Sequence, residues 1–389
     1  KPNQTKPKRR VTLKRQFKLG LVINPYSGIG GALALKGSDG KDIRQQALSR
    51  GAEKLSGKKM AIALQALLPL TNEFEVYTAS EEMGESVLAD LGLNYKVIYS
   101  YQESQTESSD TQLAAVQLLA AQVDLILFAG GDGTARNICE VVGTQCPVVG
   151  VPAGCKIHSG VYAITPKAAG KVVAKVIKGE LVSLMQAEVK DIDESKFRAG
   201  RVIAKHYGEM LVPEELSYIQ AVKMGGKESD ELVLADIAAH VIEIMEDEPE
   251  TLFVMGSGST VDSIMQDLDL RNTLLGVDLV KNQKLLANDL TASGLLDACA
   301  SGTVKVLLTL IGGQGHILGR GNQQLSPELI RMVGKQNLLL VATKAKLQGL
   351  NGRPLISDSG DTELDDMLVG PIPIITGFHD LVLYPIGAV

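Results

Sequence analysis

The chain has 389 residues, is 45% hydrophobic and carries a net charge of −6, enough to bury a sizeable core and longer than one average domain, so two domains are expected. Its longest apolar segments, within residues 60–70 and 306–313, fall short of the roughly 20 residues that span a bilayer, and no membrane span is expected. The four cysteines (Cys139, Cys146, Cys155, Cys299) form no Cys-x-x-Cys pair and have no histidine at zinc-finger spacing, which argues against a disulfide framework and for a reducing, cytoplasmic setting.

Residues 1–18 carry eight Lys/Arg and no acid, leaving −14 for the remainder. This basic arm has no apolar signal core and reads as a solvated extension; no nucleic-acid partner is expected. Beyond it, the runs LGLVIN (19–24), FEVYTA (74–79), YKVIYSY (95–101), VDLILFA (123–129) and PVVGV (147–151) predict strands. SSDTQLAAVQLLAAQ (108–122), with Ser and Asp as candidate N-caps, and TPKAAGKVVAKVIKGE (165–180), with Thr before Pro, predict helices between and after them. Apolar strands alternating with helices predict a parallel sheet covered on both faces. The first domain is placed at 19–185.

A more polar interval follows at 186–250. Alternation in RVIAKHYGEMLV (201–212) predicts strands, and DELVLADIAAHVIEIMED (230–247) a helix. TLFVMG (251–256), TLLGVDLV (273–280), VKVLLTLIGG (304–313) and NLLLVATKAKL (337–347) then predict a second α/β unit over 251–347. The segment 348–389 ends in VGPIPIITGFHDLVLYPI (369–386), expected to form strands that return to an earlier sheet.

The chemistry concentrates in glycine loops at predicted strand ends, where open α/β sheets bind ligands. NPYSGIGG (24–31) follows the first strand and GGDGT (130–134) the fourth. Glycines let backbone N–H groups approach phosphate oxygens, and a following helix N-terminus adds its positive end. Phosphate-side candidates are therefore Asn24, Ser27, Gly28, Gly130, Gly131, Gly133 and Thr134. No G-x-x-x-x-G-K-[ST] and no kinase H-R-D or D-F-G motif is present, which excludes P-loop and protein-kinase chemistry. A carboxylate among phosphate-binding glycines repels its ligand unless it binds Mg²⁺ or takes a proton from an acceptor hydroxyl, so Asp132 is the candidate catalytic residue. Asn137, Lys156 and His158 are candidates for the acceptor. In the second half MGSGST (255–260) repeats the strand, loop and helix pattern, adding Gly256, Ser257, Gly258, Ser259 and Thr260. IGGQGHILGRGNQQ (311–324) is rich in amides that suit a ribose or carboxamide, and the DID of 191–193 is a weaker metal candidate.

NPYSGIGG, AGGDGTARN, GVPAGCKIHSGVYA and IGGQGHILGRGNQQLSPELI together resemble the ATP-NAD kinase-like family, within the superfamily of NAD, diacylglycerol and sphingosine kinases. The resemblance implies an α/β fold: an N-terminal parallel-sheet NAD kinase-like domain, a β-containing connection and a second α/β unit. It implies ATP or polyphosphate as donor, Mg²⁺ accompanying ATP, NAD or another small molecule as acceptor, and Asp132 as base or metal organiser. A homo-oligomer is expected. The chain departs from NAD kinases in having Pro152 where an asparagine usually stands and no evident Asn-Glu pair; from the lipid-kinase P-x-G-T-x-N-D segment it keeps Pro152 and Gly154. The leading expectation is phosphorylation of the 2′-hydroxyl of NAD to NADP. The alternatives are a kinase for a nucleoside, polyol or lipid, and a non-catalytic nucleotide-binding regulator.

Overall fold

A computed structural model describes residues 15–29, 41–154, 157–192, 204–214, 230–273 and 276–388. The chain before Arg15, Gly30, Gly31, Lys156 and Asp193 lie outside the described residues.

Five parallel strands form the first sheet: β1 (Phe17–Ile23), β2 (Phe74–Ala79), β3 (Tyr95–Tyr99), β4 (Leu125–Gly130) and β5 (Val148–Pro152), in the order β3-β2-β1-β4-β5. All six residues of β4 are buried, as expected of a strand covered on both faces. On one face Leu19, Leu21 and Leu127 pack against Met60 and Leu64 of helix Ser56–Leu64 and Val173 of helix Pro166–Ile177. On the other, Val22, Ile126 and Phe128 meet Leu118 of helix Ser108–Ala120 and Ile138 of helix Asp132–Val142. Thr165 caps its helix by accepting the Ala168 N–H at 3.1 Å, as its place before Pro166 predicts. Helix Ser108–Ala120 differs from expectation at its start. Its cap is Glu107, in a reciprocal box with Asp110, so the serines already lie within the first turn.

Strands β6 (Val182–Ile192) and β7 (Ala204–Glu214) form an antiparallel hairpin whose Val189, Met210 and Val212 pack over helix Asp132–Val142. The second sheet is mixed. Its parallel centre is β8 (Leu252–Met255), β11 (Val304–Thr309), β13 (Leu338–Val341) and β15 (Gly370–Gly377). It is flanked by β9 (Asp278–Lys281), β10 (Lys284–Ala287), β12 (His316–Leu318), β14 (Leu355–Ser357) and β16 (Asp380–Gly387). Helices Asp230–Asp247 and Ser259–Asp267 cover one face, and Ala292–Ala298, Pro327–Val333 and Thr362–Leu368 the other.

The strand expected over 273–280 is shorter. Asp278 is fully buried and its carboxylate accepts the N–H groups of Thr273 and Asp289, each at 2.8 Å. These bonds tie Thr273 and Asp289 to Asp278, the residue at which β9 begins. In the C-terminal segment β16 pairs antiparallel with β15 and, on its other side, with residues 182–184 of β6. The hairpin that buttresses the first unit is thus continuous with the second sheet.

Candidate active site

In the order β3-β2-β1-β4-β5 the chain reverses direction between β1 and β4, and a crevice opens beyond the carboxyl ends of those two strands. NPYSG leaves β1 there and GGDGT leaves β4. Asn24 N donates to Ala129 O at 2.9 Å, and Asn24 Nδ2 donates to Thr134 Oγ1 at 3.0 Å. Asn24 Oδ1 accepts the Tyr26 N–H at 3.1 Å, and Ser27 Oγ lies 3.4 Å from Thr134 Oγ1. Ser27 and Thr134 are buried. The side chains of Asn24, Ser27 and Thr134 therefore hold the two loops to each other.

Helix Asp132–Val142 starts inside GGDGT, with Gly131 as an N-cap that offers no side chain. Its first intrahelical bond is Ala135 N to Gly131 O at 3.0 Å, so the amides of residues 132–134 belong to the turn that a helix leaves unsatisfied. That end carries partial positive charge.

Three of the loop glycines are explained by packing. A Cβ on Gly130 would lie 2.3 Å from the Thr134 side chain, one on Gly131 3.1 Å from Gly154 Cα, and one on Gly28 2.3 Å from Ala153 O. Gly131 and Gly154 press backbone to backbone, and a side chain at Gly131 would strike the neighbouring loop rather than a ligand. Gly133 is different. It is exposed, and a Cβ there meets nothing nearer than Asp191 Oδ2 at 3.9 Å. Packing does not require a glycine at this position.

Asp132 is held from one side by the segment 157–160. Its Oδ2 accepts the His158 N–H at 2.8 Å and lies 2.9 Å from His158 Nδ1; its Oδ1 accepts the Ser159 N–H at 3.0 Å. An ionised carboxylate only accepts, so Nδ1 is the donor in this pair. Asp132's side chain is 5% exposed and that of His158 34%, so of the two the imidazole is the more open to solvent. Ser159 Oγ donates to Lys190 O at 2.8 Å and accepts the Lys190 N–H at 2.9 Å, while Gly160 N donates to Glu188 O at 2.8 Å. Strand β6 thus braces the segment that presents His158.

Tyr162 completes the support. Its hydroxyl donates to Gly131 O at 2.5 Å and its ring stands edge-on to Phe128 at 5.4 Å. Burial, followed by the charges of Asp132 and Asp191, pushes this phenol well above its ordinary value and keeps it a donor. Asp191, on β6, faces Gly133 from across the loop, with Arg136 Nη1 3.9 Å from its Oδ2. Arg136 also stacks on Tyr207 at 4.3 Å. Asn137 is half-buried on the same helix.

The second-half candidates gather elsewhere, at the carboxyl ends of β8, β11 and β13. Ser257 Oγ donates to Gly321 O at 3.0 Å, and Lys346 Nζ donates to the buried Thr260 Oγ1 at 3.3 Å. GSGST and the IGGQGHILGRGNQQ segment are therefore neighbours. A cavity of about 370 Å³ opens beside Ser259, Thr260, Thr343 and Lys346. Gly258 has φ +121° and Gly256 packs on Leu307 O.

Sequence reasoning did not select Gly154, Ser159 or Tyr162, and offered Asp191 only as part of the weaker metal candidate at 191–193. The first three lie within GVPAGCKIHSGVYA, where the alternation of small and polar residues was the available signal.

Glycine loops at the switch point of a parallel sheet define an α/β protein with a crevice of the nucleotide-binding kind. The ATP-NAD kinase N-terminal domain family matches residues 19–181, and the ATP-NAD kinase C-terminal domain family matches residues 248–386. The chain belongs to the NAD kinase-like family, whose members are kinases acting on NAD-like substrates. Among curated proteins no relative matches it. No helix among the described residues is long and apolar enough to cross a membrane.

Proposed function

We propose that the protein transfers the terminal phosphoryl group of ATP, or of polyphosphate, to the 2′-hydroxyl of the adenosine ribose of NAD, with His158 as the base and Asp132 as the group that orients it. The observation that carries this reading is the pair His158 Nδ1 and Asp132 Oδ2, 2.9 Å apart at the mouth of the crevice. Asp132 fixes the tautomer, leaving His158 Nε2 to accept the hydroxyl proton, and stabilises the imidazolium that results. The donor phosphates lie against the first turn of helix Asp132–Val142, where Gly133 admits them because no Cβ intervenes.

Mg²⁺ fits the crevice as a companion of ATP, since it is bound through one or two carboxylates plus substrate phosphates. Asp132 is turned towards residues 158 and 159 by three hydrogen bonds, and the carboxylate that lies beside Gly133, where the donor phosphates are placed, is Asp191. When bound, the ion offsets the charge of the polyphosphate. Arg136 adds a fixed positive charge on the same side. NPYSG, tied to Thr134 through Asn24, closes the other wall, next to a cavity of about 300 Å³ lined in part by Pro25, Lys54 and Lys58.

The reading is tested by incubating the purified protein with γ-labelled ATP, or labelled polyphosphate, and NAD, NADH, nucleosides, polyols or lipids in turn. Label in NADP is expected. Label in another acceptor alone replaces the substrate assignment, and donor binding without any labelled product overturns the kinase reading in favour of a regulator.

A further inference from the structure

A second group of polar side chains lies on the second sheet, on elements that carry none of the GGDGT or NPYSG residues. His240 and Glu243 stand one turn apart on helix Asp230–Asp247, a spacing that puts both on one face. His379 occupies the tip of the β15–β16 hairpin, between Gly377 and Asp380, which pair. One ligand atom from each of the three lies within 4.8 Å of the others.

We propose that His240, Glu243 and His379 bind one divalent transition-metal ion of the zinc type, at a site separate from the phosphotransfer crevice.

The contact between Glu243 and His379 is the first argument. Glu243 Oε2 is buried and has no hydrogen-bond partner, although His379 Nε2 stands only 2.6 Å away. The contact has the distance of an ion pair but not the alignment of a hydrogen bond. A buried carboxylate oxygen left in this state is costly unless a cation completes it.

The backbone supplies the second argument. His379 has φ +49°, a left-handed conformation that a residue with a Cβ adopts at a cost, and it places the imidazole over the helix. The Phe378 ring stands edge-on to both imidazoles, at 4.5 Å from His379 and 6.2 Å from His240, and fixes their planes. Asp380 next door is neutralised by Lys344 at 2.6 Å and does not compete for the ion.

Two imidazoles and one carboxylate suit Zn²⁺, with Co²⁺ and Ni²⁺ as substitutes; Mg²⁺ and Ca²⁺ prefer all-oxygen shells. Three protein ligands leave a fourth position for water. Metal–ligand bonds of about 2.0–2.1 Å put tetrahedral ligands roughly 3.3 Å apart, so on binding the Glu243–His379 contact of 2.6 Å opens slightly while all three ligand atoms, already within 4.8 Å of one another, settle to that spacing. His240 Nδ1 then exchanges the His379 N–H it accepts at 3.1 Å for the ion. The bound metal clamps the helix over the second sheet to the hairpin at that sheet's centre.

The test is a Zn²⁺ titration of the chelator-stripped full chain by calorimetry, with Co²⁺ absorption as the spectroscopic readout, on wild type, His379→Ala and Glu243→Gln. One ion per chain, visible Co²⁺ bands, and a weakening on the order of 100-fold in both variants are expected. His379 is exposed and Glu243→Gln keeps its shape, so both variants fold; circular dichroism checks this. Wild type that binds no Zn²⁺ at micromolar concentration overturns the proposal. Equal stoichiometry and affinity in the variants does so too, because the ion then sits on other ligands.

Discussion

Replacing Gly154 with alanine tests how GGDGT and the segment after β5 are held together. The added Cβ would lie 2.7 Å from Gly131 Cα, about 0.7 Å inside the nearest ordinary van der Waals contact of 3.4 Å. The atom it meets is backbone and cannot rotate away. The segment is also pinned beside the clash: Ala153 N and Gly154 N both donate to Gly130 O, at 2.9 and 3.1 Å. The strain must therefore move the chain further along, where His158 N and Ser159 N reach Asp132 at 2.8 and 3.0 Å. Overpacking of this kind costs about 1–3 kcal/mol, and a displacement near 1 Å at a reacting group costs roughly 100-fold in rate. Urea denaturation and steady-state transfer measure the two effects on one preparation. A Gly154→Ala protein with wild-type midpoint and turnover would refute the back-to-back packing of the loops.

Gly133→Ala should behave in the opposite way: stability unchanged or raised by up to about 1 kcal/mol, because alanine is the better helix former, with donor KM raised severalfold. Lower stability together with unchanged KM would show that Gly133 serves the fold. Asp132→Asn should lose transfer and also about 1–3 kcal/mol of stability, since an amide has one acceptor oxygen where the carboxylate receives the N–H groups of both His158 and Ser159; an unchanged melting midpoint would contradict that bonding. Lys335 has its pKa lowered to about 8 by burial and secondarily by Arg15, against the opposing pull of Asp124. Its folded value is below its unfolded one, so the unfolded chain binds the extra proton between pH 8 and about 10.5, and this group's contribution to stability rises across that window. The penalty is in full force below pH 8. Lys335→Met should be more stable than wild type at pH 7 by about 2–3 kcal/mol, the gap narrowing towards pH 10; a gap independent of pH would exclude a buried ammonium.

Strands β4 and β5 were legible as apolar runs bounded by turn residues, since a strand covered on both faces needs little else, and the edge strand β3, with no buried residue, by its β-branched and aromatic residues. NPYSG and GGDGT were legible as strand-end loops for the same reason. The sequence does not reveal the lateral order of strands, and it is that order, β1 beside β4, that brings the two loops together. Nor does it reveal that Asn24 and Thr134, 110 positions apart, spend their side chains on each other. His158 was visible as a polar residue in a small-residue segment, but its pairing with Asp132 depends on where Gly131 and Gly154 touch. Glu107 was overlooked as a cap because Ser108 and Ser109 are the more usual choice, and β9 begins at Asp278, whose buried carboxylate ties Thr273 and Asp289 to it. The cluster of His240, Glu243 and His379 spans 139 positions and has no local signature beyond the helical spacing of the first two.

The account turns on which side chain takes the acceptor's proton, and His158→Asn isolates it, because an asparagine amide can still donate to Asp132 while offering no base. The decisive measurement is the single-turnover rate of labelled phosphoryl transfer to NAD in wild type and His158→Asn, followed across pH. A rate lower by about 10²–10⁴-fold at unchanged donor affinity, with the acid limb of the wild-type profile gone, is predicted. A His158→Asn enzyme within threefold of wild type, with the same acid limb, would contradict the assignment and return the proton to another group.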